Sequence, residues 1–285
     1  MSSAATAIEV VPVAGALGAE IRGVDLRALD DDIFSSVHAA LLEHEVIFFR
    51  GAHLTEDEQI ELGRWFGQPT TSPMSRLFGI TEPTLQTITD GPDSPNEADY
   101  WHTDITWTAE PPAYALLCGI EMPERGGDTL WASMTAAYDA LSPAMQERLA
   151  RLRVVHNNES FIGGVVRKLG QTALDQGLPE KLREHYPPVE HPLVRTHPET
   201  GRRALVFGGR FMRSIVGMTD AESAMVFDFL LHHIESPRFQ CRWNWQVGDL
   251  AIWDERSTAH RAANDHFPQV RSIRRLEIAG TRPVL

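Results

Sequence analysis

The feature of this sequence that most constrains its fold is a succession of short apolar segments, rich in β-branched and aromatic residues, separated by turns containing glycine and proline. Such segments occur at 113–120, 129–132, 192–197, 204–207, 240–245, 249–253 and 271–278. Their length and composition are typical of strands. Strands joined by turns favour a sandwich or jelly roll over alternating β-α-β units. The sequence therefore predicts a mainly β protein with a few peripheral helices.

The helices are indicated by the residues that begin them. Acidic residues at 30–32 precede apolar residues at helical spacing. Thr55 with Glu58, and Thr219 with Glu222, match the capping box, in which a threonine side chain and a glutamate three positions later satisfy each other's backbone amides. We expect a helix after each of these starts, on the periphery of the sheets.

The chain shows no internal repeat, low-complexity tract or Gly/Ser-rich linker, which predicts a single domain over residues 1–285. Two segments, 72–99 and 157–188, show no clear helix or strand pattern. Long irregular segments in a compact domain are commonly lids or binding loops. Both segments are therefore candidate lids over a binding site.

Charge and composition exclude several classes of protein. The 26 Lys and Arg against 39 Asp and Glu give a formal charge of −13, which argues against a nucleic-acid-binding protein because phosphates require a basic surface. No basic residue precedes Arg22, so a secretory signal is not expected, and the apolar run 113–120 is too short to cross a membrane. Cys118 and Cys241 are expected to be free buried thiols. We expect a cytoplasmic protein without membrane or nucleic-acid partners.

The strongest chemical motif is His102-Thr-Asp104. In an extended segment, residues two apart point to the same side, so the imidazole and the carboxylate can converge on one metal ion. His260 lies between two predicted strands and is the best third candidate. Two histidines and one carboxylate form the facial arrangement of non-haem Fe(II) oxygenases, although the same set also suits zinc. On the last strand Arg271 and Arg275 share one face, where guanidinium groups can bind anions.

With these residues in view, the sequence resembles the taurine dioxygenase (TauD/TfdA) family of Fe(II)- and 2-oxoglutarate-dependent dioxygenases over nearly the whole chain. The matching stretches are 18–25, 46–50, 101–106, 111–112, 126–131, 191–198, 242–245, 248–254 and 260–275. The resemblance implies a double-stranded β-helix, a jelly-roll and cupin-like fold, with iron bound by His102, Asp104 and His260. It also implies that Arg271, assisted by Thr129, binds 2-oxoglutarate, and that O2 is consumed as succinate and CO2 form. Since related halogenases lack the carboxylate, Asp104 argues against halogenation.

The resemblance also places the substrate pocket. Arg275 matches the arginine that binds the taurine sulfonate, whereas the helper histidine and asparagine of the taurine enzyme are replaced by Ser72 and Ala98. Ile105 and Trp107 match apolar pocket positions. We therefore expect a small anionic substrate, taurine-like, alkylsulfonate or alkyl sulfate, with a more apolar body than taurine. The alternative is the same chemistry on an aryloxy or other carboxylic acid.

Other interpretations stay open at this point. A zinc-dependent hydrolase and a non-catalytic cupin-like binding protein both fit the three ligands alone. Arg275 could instead pair with Glu277 or Asp265, and Thr129 could be an ordinary strand residue. We expect Trp243 and Trp253 to lie in the core without a role in the site, and we expect His156, His191 and His197 to be structural histidines. Resemblance to the family further implies a homo-oligomer, dimer or tetramer, with a role such as taurine catabolism.

Overall fold

Strands form the centre of the fold. The structure, a computed structural model, describes residues 8–92 and 98–285. The strands are β1 Glu9–Pro12, β2 Ala19–Arg22, β3 Val46–Phe49, β4 Gln86–Asp90, β5 Tyr114–Glu121, β6 Thr129–Ser133, β7 Arg153–His156, β8 Val189–Pro192, β9 Val194–Thr196, β10 Arg203–Leu205, β11 Met212–Ile215, β12 Gln240–Trp243, β13 Leu250–Asp254, β14 Thr258–Ala262 and β15 Arg271–Ile278.

Helices surround these strands. They are α1 Asp31–His44, α2 Glu56–Phe66, α3 Pro73–Leu77, α4 Met134–Asp139, α5 Pro143–Ala150, α6 Glu159–Leu169, α7 Gln171–Asp175, α8 Leu178–His185 and α9 Asp220–Ile234. The predicted starts are confirmed, because Asp30 caps α1 and complete capping boxes at Thr55 and Thr219 begin α2 and α9. These boxes depend only on residues three positions apart, which is why the sequence alone reveals them.

Among the described residues the strands form four sheets and no closed barrel. The largest has the order β1-β2-β3-β13-β5-β15-β4 and is antiparallel except between β2 and β3. A three-stranded antiparallel sheet has the order β12-β6-β14. The remaining sheets are β11-β7-β8 and β10-β9. The predicted sheet-rich architecture with helices is thereby confirmed.

The large sheet is buried on both faces. In β13, Leu250 and Ile252 pack in a cluster with residues of α1 and α2. The alternate residues, Ala251 and Trp253, pack with Trp131 of the sheet β12-β6-β14. Burial of both faces accounts for the almost continuous apolar composition of these strands. It also confirms the expectation that Trp243 and Trp253 are core residues, since both lie in this second cluster.

The two segments that lacked a pattern in the sequence are partly regular. Residues 157–188 were expected to be irregular and instead contain α6, α7 and α8. Paired glycines at 163 and 164 lower the helix propensity of α6, and no side chain caps its start. Its helical form depends on tertiary packing, which sequence periodicity does not report. The segment 72–99 contains α3 and β4, and its residues 93–97 lie outside the described residues.

Both cysteines are free and buried, as predicted. Burial raises the pKa of Cys118 to about 11 and that of Cys241 to about 12, so neither thiol is prepared for nucleophilic chemistry. Within residues 8–92 and 98–285, none of the helices has the length and apolar character needed to cross a membrane.

Candidate active site

The structure brings His102, Asp104 and His260 together. One ligand atom from each can be chosen so that all lie within 4.8 Å of one another, and all three side chains are buried. The segment carrying the first two residues is tied to β14 by backbone hydrogen bonds between His102 and His260, at 3.0 and 2.8 Å. Residues separated widely in sequence therefore converge because His102 pairs with the strand that carries His260.

The hydrogen bonding of His102 orients its imidazole. Its Nδ1 lies 2.8 Å from the Tyr100 carbonyl oxygen. A carbonyl only accepts, so Nδ1 is the donor, and in the neutral ring Nε2 keeps a free lone pair. That Nε2 lies 3.5 Å from Asp104 Oδ1. A carbonyl behind a metal-binding imidazole is the usual way that proteins fix its tautomer.

The electrostatics of the cluster suit a divalent metal ion. Burial lowers the pKa of His260 to about 3, so the ring is neutral and can coordinate. Burial opposes ionisation of Asp104, but the Arg275 guanidinium and the histidines hold the pKa of this carboxyl far below its usual range. The buried His260 Nδ1 also lacks a hydrogen-bond partner among the described residues. Imidazole and carboxylate donors with an unsatisfied buried nitrogen fit a metal such as iron or zinc.

Glu255 supports the backbone at Asp104 and was not predicted from the sequence. Its Oε2 accepts a hydrogen bond from the Asp104 backbone amide at 3.1 Å, and its Oε1 accepts one from Trp253 Nε1 at 2.6 Å. Burial and the nearby Asp104 charge raise the pKa of Glu255 well above its ordinary value. Ile105, which follows Asp104 in the chain, has a φ of 50°, a costly conformation for a β-branched residue. The turn at Ile105 thus begins directly after Asp104.

A second polar centre lies around Arg271, whose side chain is 1% exposed. Arg271 Nη2 donates to Thr129 Oγ1 at 3.1 Å and Nη1 donates to Asp90 Oδ2 at 3.3 Å, while Nε has no partner among the described residues. Trp245 Nε1 also donates to Thr129 Oγ1, at 3.0 Å. The structure therefore brings the predicted pair Arg271 and Thr129 into contact, and it adds Asp90 and Trp245, which sequence reasoning did not assign here.

The close approach of backbone to Arg271 explains a glycine of the 126–131 motif. Gly127 has a φ of 67°, and a Cβ there would lie 3.0 Å from Arg271 Cδ. A larger residue would be strained and would displace the guanidinium. Burial raises the pKa of Asp90 against the opposing charge of Arg271. An anion that binds this arginine therefore competes with a carboxylate that is itself costly to ionise.

Arg275 lies between the carboxylates of Asp104 and Glu277. It donates to Asp104 Oδ2 and, at 2.6 Å, to Gln86 Oε1, and its Nη2 lies 3.2 Å from Glu277 Oε1. The sequence-based alternative of a pair with Glu277 is therefore present in the structure. The alternative partner Asp265 pairs with Arg242 instead, at 3.1 Å, because it lies beyond the other end of β15.

A cavity of about 390 Å³ meets Arg275 through its ion-pair partner Glu277, whereas Arg275 itself and the cluster of His102, Asp104 and His260 are not among the described lining residues. Ile105 and Trp107 line it, as does Glu277. Ser72 is not among its lining residues: its hydroxyl accepts from the Ser75 backbone amide and caps α3. The sequence could not separate these outcomes, because capping and ligand contact both require a small polar residue at this position.

The two candidate lid segments meet over this cavity. Trp107 is stacked on Phe161 of α6, with ring centroids 5.1 Å apart, and makes an edge contact with Tyr186 at 5.0 Å. The Tyr186 hydroxyl donates to the Pro73 carbonyl oxygen at 3.0 Å. Residues from both segments therefore form one wall of the cavity around Trp107.

Three further buried histidines have hydrogen-bond partners outside the cluster of His102, Asp104 and His260. His156 Nδ1 lies 3.0 Å from Thr106 Oγ1, and His191 Nε2 lies 2.8 Å from the Thr106 carbonyl oxygen. His197 Nε2 lies 2.9 Å from Asp254 Oδ2. These contacts agree with the expectation that all three are structural histidines.

Comparison with known proteins gives consistent results. The model of the "Taurine catabolism dioxygenase TauD, TfdA family" matches residues 9–277. An alpha-ketoglutarate-dependent sulfate ester dioxygenase of Pseudomonas putida is 38% identical over 97% of this chain and 91% of its own length. An alkylsulfatase of Acinetobacter baylyi is 36% identical over 96% of this chain and 85% of its own length.

Solved structures agree with the sequence comparisons. A taurine dioxygenase from Burkholderia xenovorans superposes with a TM-score of 0.80 at 34% identity, covering 97% of this chain and 91% of that one. The structure of AAD-2 in complex with Mn(II) and N-oxalylglycine superposes with a TM-score of 0.78 at 26% identity, covering 98% of this chain and 100% of that one. The match over nearly the whole chain, in sequence and in structure, shows that this chain belongs to the TauD/TfdA family of dioxygenases.

Proposed function

We propose that this chain is an Fe(II)- and 2-oxoglutarate-dependent dioxygenase that hydroxylates a small organic anion. The observation that carries the proposal is the pairing of two buried centres: the His102, Asp104 and His260 cluster, and the guanidinium of Arg271 with its unsatisfied Nε. A metal hydrolase requires only the first centre. A cosubstrate with a distal carboxylate accounts for the second.

The cofactors follow from the family. The Pseudomonas putida relative is named for its dependence on alpha-ketoglutarate, and AAD-2 was solved with Mn(II) and N-oxalylglycine. We assign Fe(II) to His102, Asp104 and His260, and the distal carboxylate of 2-oxoglutarate to Arg271, with the Thr129 hydroxyl as a second contact. The neutral imidazole of His260 and the anionic Asp104 support the first assignment.

The chemistry supplied by Fe(II) with O2 and 2-oxoglutarate is oxidative decarboxylation to succinate and CO2, with one oxygen atom inserted into a substrate C–H bond. The protein's part is positional. Glu255 holds the backbone at Asp104, and Tyr100 fixes the ring of His102. Trp245 orients Thr129 toward Arg271.

Among organic anions, we propose alkyl sulfates and alkylsulfonates as the substrate class. The two curated relatives named above act on sulfate esters by their names, and Ile105 and Trp107 give the cavity an apolar wall for a carbon chain. Hydroxylation of the carbon that bears a sulfate ester gives a hemiacetal-type product, which loses sulfate and leaves an aldehyde. The activity would thus release inorganic sulfate without hydrolysis by water.

The decisive experiment is anaerobic titration of metal-free protein with Fe(II), then 2-oxoglutarate, then hexyl sulfate, followed by exposure to O2. We expect a visible charge-transfer band with 2-oxoglutarate, a shift of that band with hexyl sulfate, and equal yields of succinate and sulfate after O2 is admitted. Asp104→Asn should keep the fold and abolish turnover. Sulfate release that requires zinc and proceeds without O2 would instead establish a hydrolase.

We also propose the finer architecture that the family implies. Residues 1–285 would form one domain of the double-stranded β-helix type, with the large sheet and the sheet β12-β6-β14 as its two layers, and with 72–99 and 157–188 as lids. The shared apolar cluster between the two sheets supports this proposal. We further propose a cytoplasmic protein that forms a dimer or tetramer, and light scattering of the purified protein would test its oligomeric state.

A further inference from the structure

The charges that line the cavity are unevenly compensated. Among the described lining residues, Arg76 of α3 supplies a guanidinium group, and Glu110 and Glu277 supply carboxylates. Arg76 is exposed, and within residues 8–92 and 98–285 its guanidinium makes no hydrogen bond or ion pair. An unpaired guanidinium on the cavity wall is available to bind an anion.

Arg275, by contrast, is already engaged by the protein. Asp104, Gln86 and Glu277 all accept from it or pair with it. A substrate anion placed against Arg275 alone would also face the carboxylates of Asp104 and Glu277, and like charges at contact distance repel. The acidic group of a substrate therefore needs positive charge beyond that of Arg275.

Arg76 is placed to supply that charge. Glu277 lines the cavity together with Arg76, and Nη2 of Arg275 lies 3.2 Å from its carboxyl. Burial raises the pKa of Glu277 to about 7, and the charges of both Arg275 and Arg76 oppose that rise. Burial also raises the pKa of Tyr186, and Arg76 again opposes it. Arg76, Tyr186 and Glu277 all line the same cavity.

The segment that carries Arg76 is held in place. Ser72 caps α3, Pro73 begins it, and the Tyr186 hydroxyl donates to the Pro73 carbonyl oxygen at 3.0 Å. This contact joins α3 to the residue that ends α8, and Pro73 and Tyr186 both line the cavity. The backbone beneath Arg76 is thus fixed, while its side chain is free to meet a ligand.

We propose that Arg76 is a specificity-determining residue that binds the acidic group of the substrate together with Arg275 and selects sulfate esters and sulfonates over carboxylates. A sulfate or sulfonate group presents three outward oxygens, which two guanidinium groups can approach from different directions. A planar carboxylate presents two oxygens, and one guanidinium fork satisfies both. This inference rests on the proposed function and names the substrate class of the same site.

The test compares hexyl sulfate with heptanoate, which have similar carbon chains and different head groups. Arg76→Gln should raise KM for hexyl sulfate about tenfold, which corresponds to ~1.4 kcal/mol. KM for heptanoate should change by less than about twofold on the same reasoning, because one fork suffices for a carboxylate. KM for 2-oxoglutarate should not change. Arg148→Gln, on the exposed side of α5, makes the same change of charge away from the cavity and should behave as the unaltered protein.

A binding measurement makes the result independent of turnover. Calorimetric titration of the anaerobic protein, loaded with Fe(II) and 2-oxoglutarate, should show the same weakening for hexyl sulfate in Arg76→Gln and partial recovery in Arg76→Lys. Unchanged hexyl sulfate affinity in Arg76→Gln, or equal losses for both head groups, would overturn the inference. If the unaltered protein oxidises no anion although hexyl sulfate binds through Arg76, the proposed function fails and the inference about binding stands.

Discussion

Replacing Arg271 with glutamine tests the assignment of the second buried centre. The guanidinium of Arg271 contacts Thr129 and Asp90 and keeps its Nε without a partner. We propose that a carboxylate of 2-oxoglutarate binds there. Glutamine retains part of the volume and can still donate to Thr129, but it removes the positive charge that the carboxylate requires.

The expected loss follows from the burial of the site. Truncating one partner of a buried, hydrogen-bonded charge pair costs about 2–5 kcal/mol. Asp90 already competes for Arg271 at 3.3 Å in the absence of ligand, so we take the lower part of that range. A loss of about 2–3 kcal/mol corresponds to roughly 30- to 150-fold weaker binding of 2-oxoglutarate.

Arg271→Gln should also lower the free energy of unfolding, because it leaves Asp90 buried without its cation. Leaving one member of a buried pair uncompensated costs about 3–5 kcal/mol of stability. The Asp90→Asn change removes that charge. The double variant, Arg271→Gln with Asp90→Asn, should therefore regain stability and still bind 2-oxoglutarate weakly. Asp90→Asn alone should bind it at least as well as the unaltered protein.

The assay combines anaerobic titration of 2-oxoglutarate into the Fe(II)-loaded protein with urea unfolding of each variant. Weak binding in both variants that lack Arg271, at normal stability in the double variant, would support the assignment. If the double variant binds 2-oxoglutarate normally, the loss in Arg271→Gln came from misfolding, and Arg271 is a structural partner of Asp90 rather than a ligand of the cosubstrate.

Three further predictions concern other residues of the protein. Thr129→Val removes the hydroxyl that accepts a hydrogen bond from Arg271. KM for 2-oxoglutarate should rise about five- to tenfold, which is close to the free energy of one hydrogen bond. Burial raises the pKa of Glu45 from 4.5 to about 7, so the folded state holds a proton that the unfolded state has lost in that interval, and stability falls as pH rises through it. The decline in the free energy of unfolding should total about 3 kcal/mol between pH 5 and 8. Urea unfolding of Glu45→Gln over the same range should show a flatter dependence on pH. Tyr186→Phe loses the bond to Pro73, so hydrogen exchange in α3 and α8 should accelerate by the equivalent of about 1 kcal/mol.

Local patterns in the sequence determined much of this protein. The capping boxes at Thr55 and Thr219 involve residues three apart, and they begin α2 and α9 as predicted. The succession of short apolar segments separated by turns identified sheet-rich architecture, and the spacing of His102 and Asp104 identified two residues that converge with His260. Patterns of this kind are readable because hydrogen-bond and side-chain geometry repeats along one helix or strand.

The surroundings of the two arginines were decided only by tertiary structure. Arg275 meets Gln86 because β15 lies beside β4, and it also meets Asp104, which follows the His102 segment that pairs with β14. Within 157–188, Phe161 of α6 packs against Trp107. Such contacts join residues far apart in the chain. Their selection depends on which strands are neighbours and which charges can be buried together, and no short-range pattern encodes that choice.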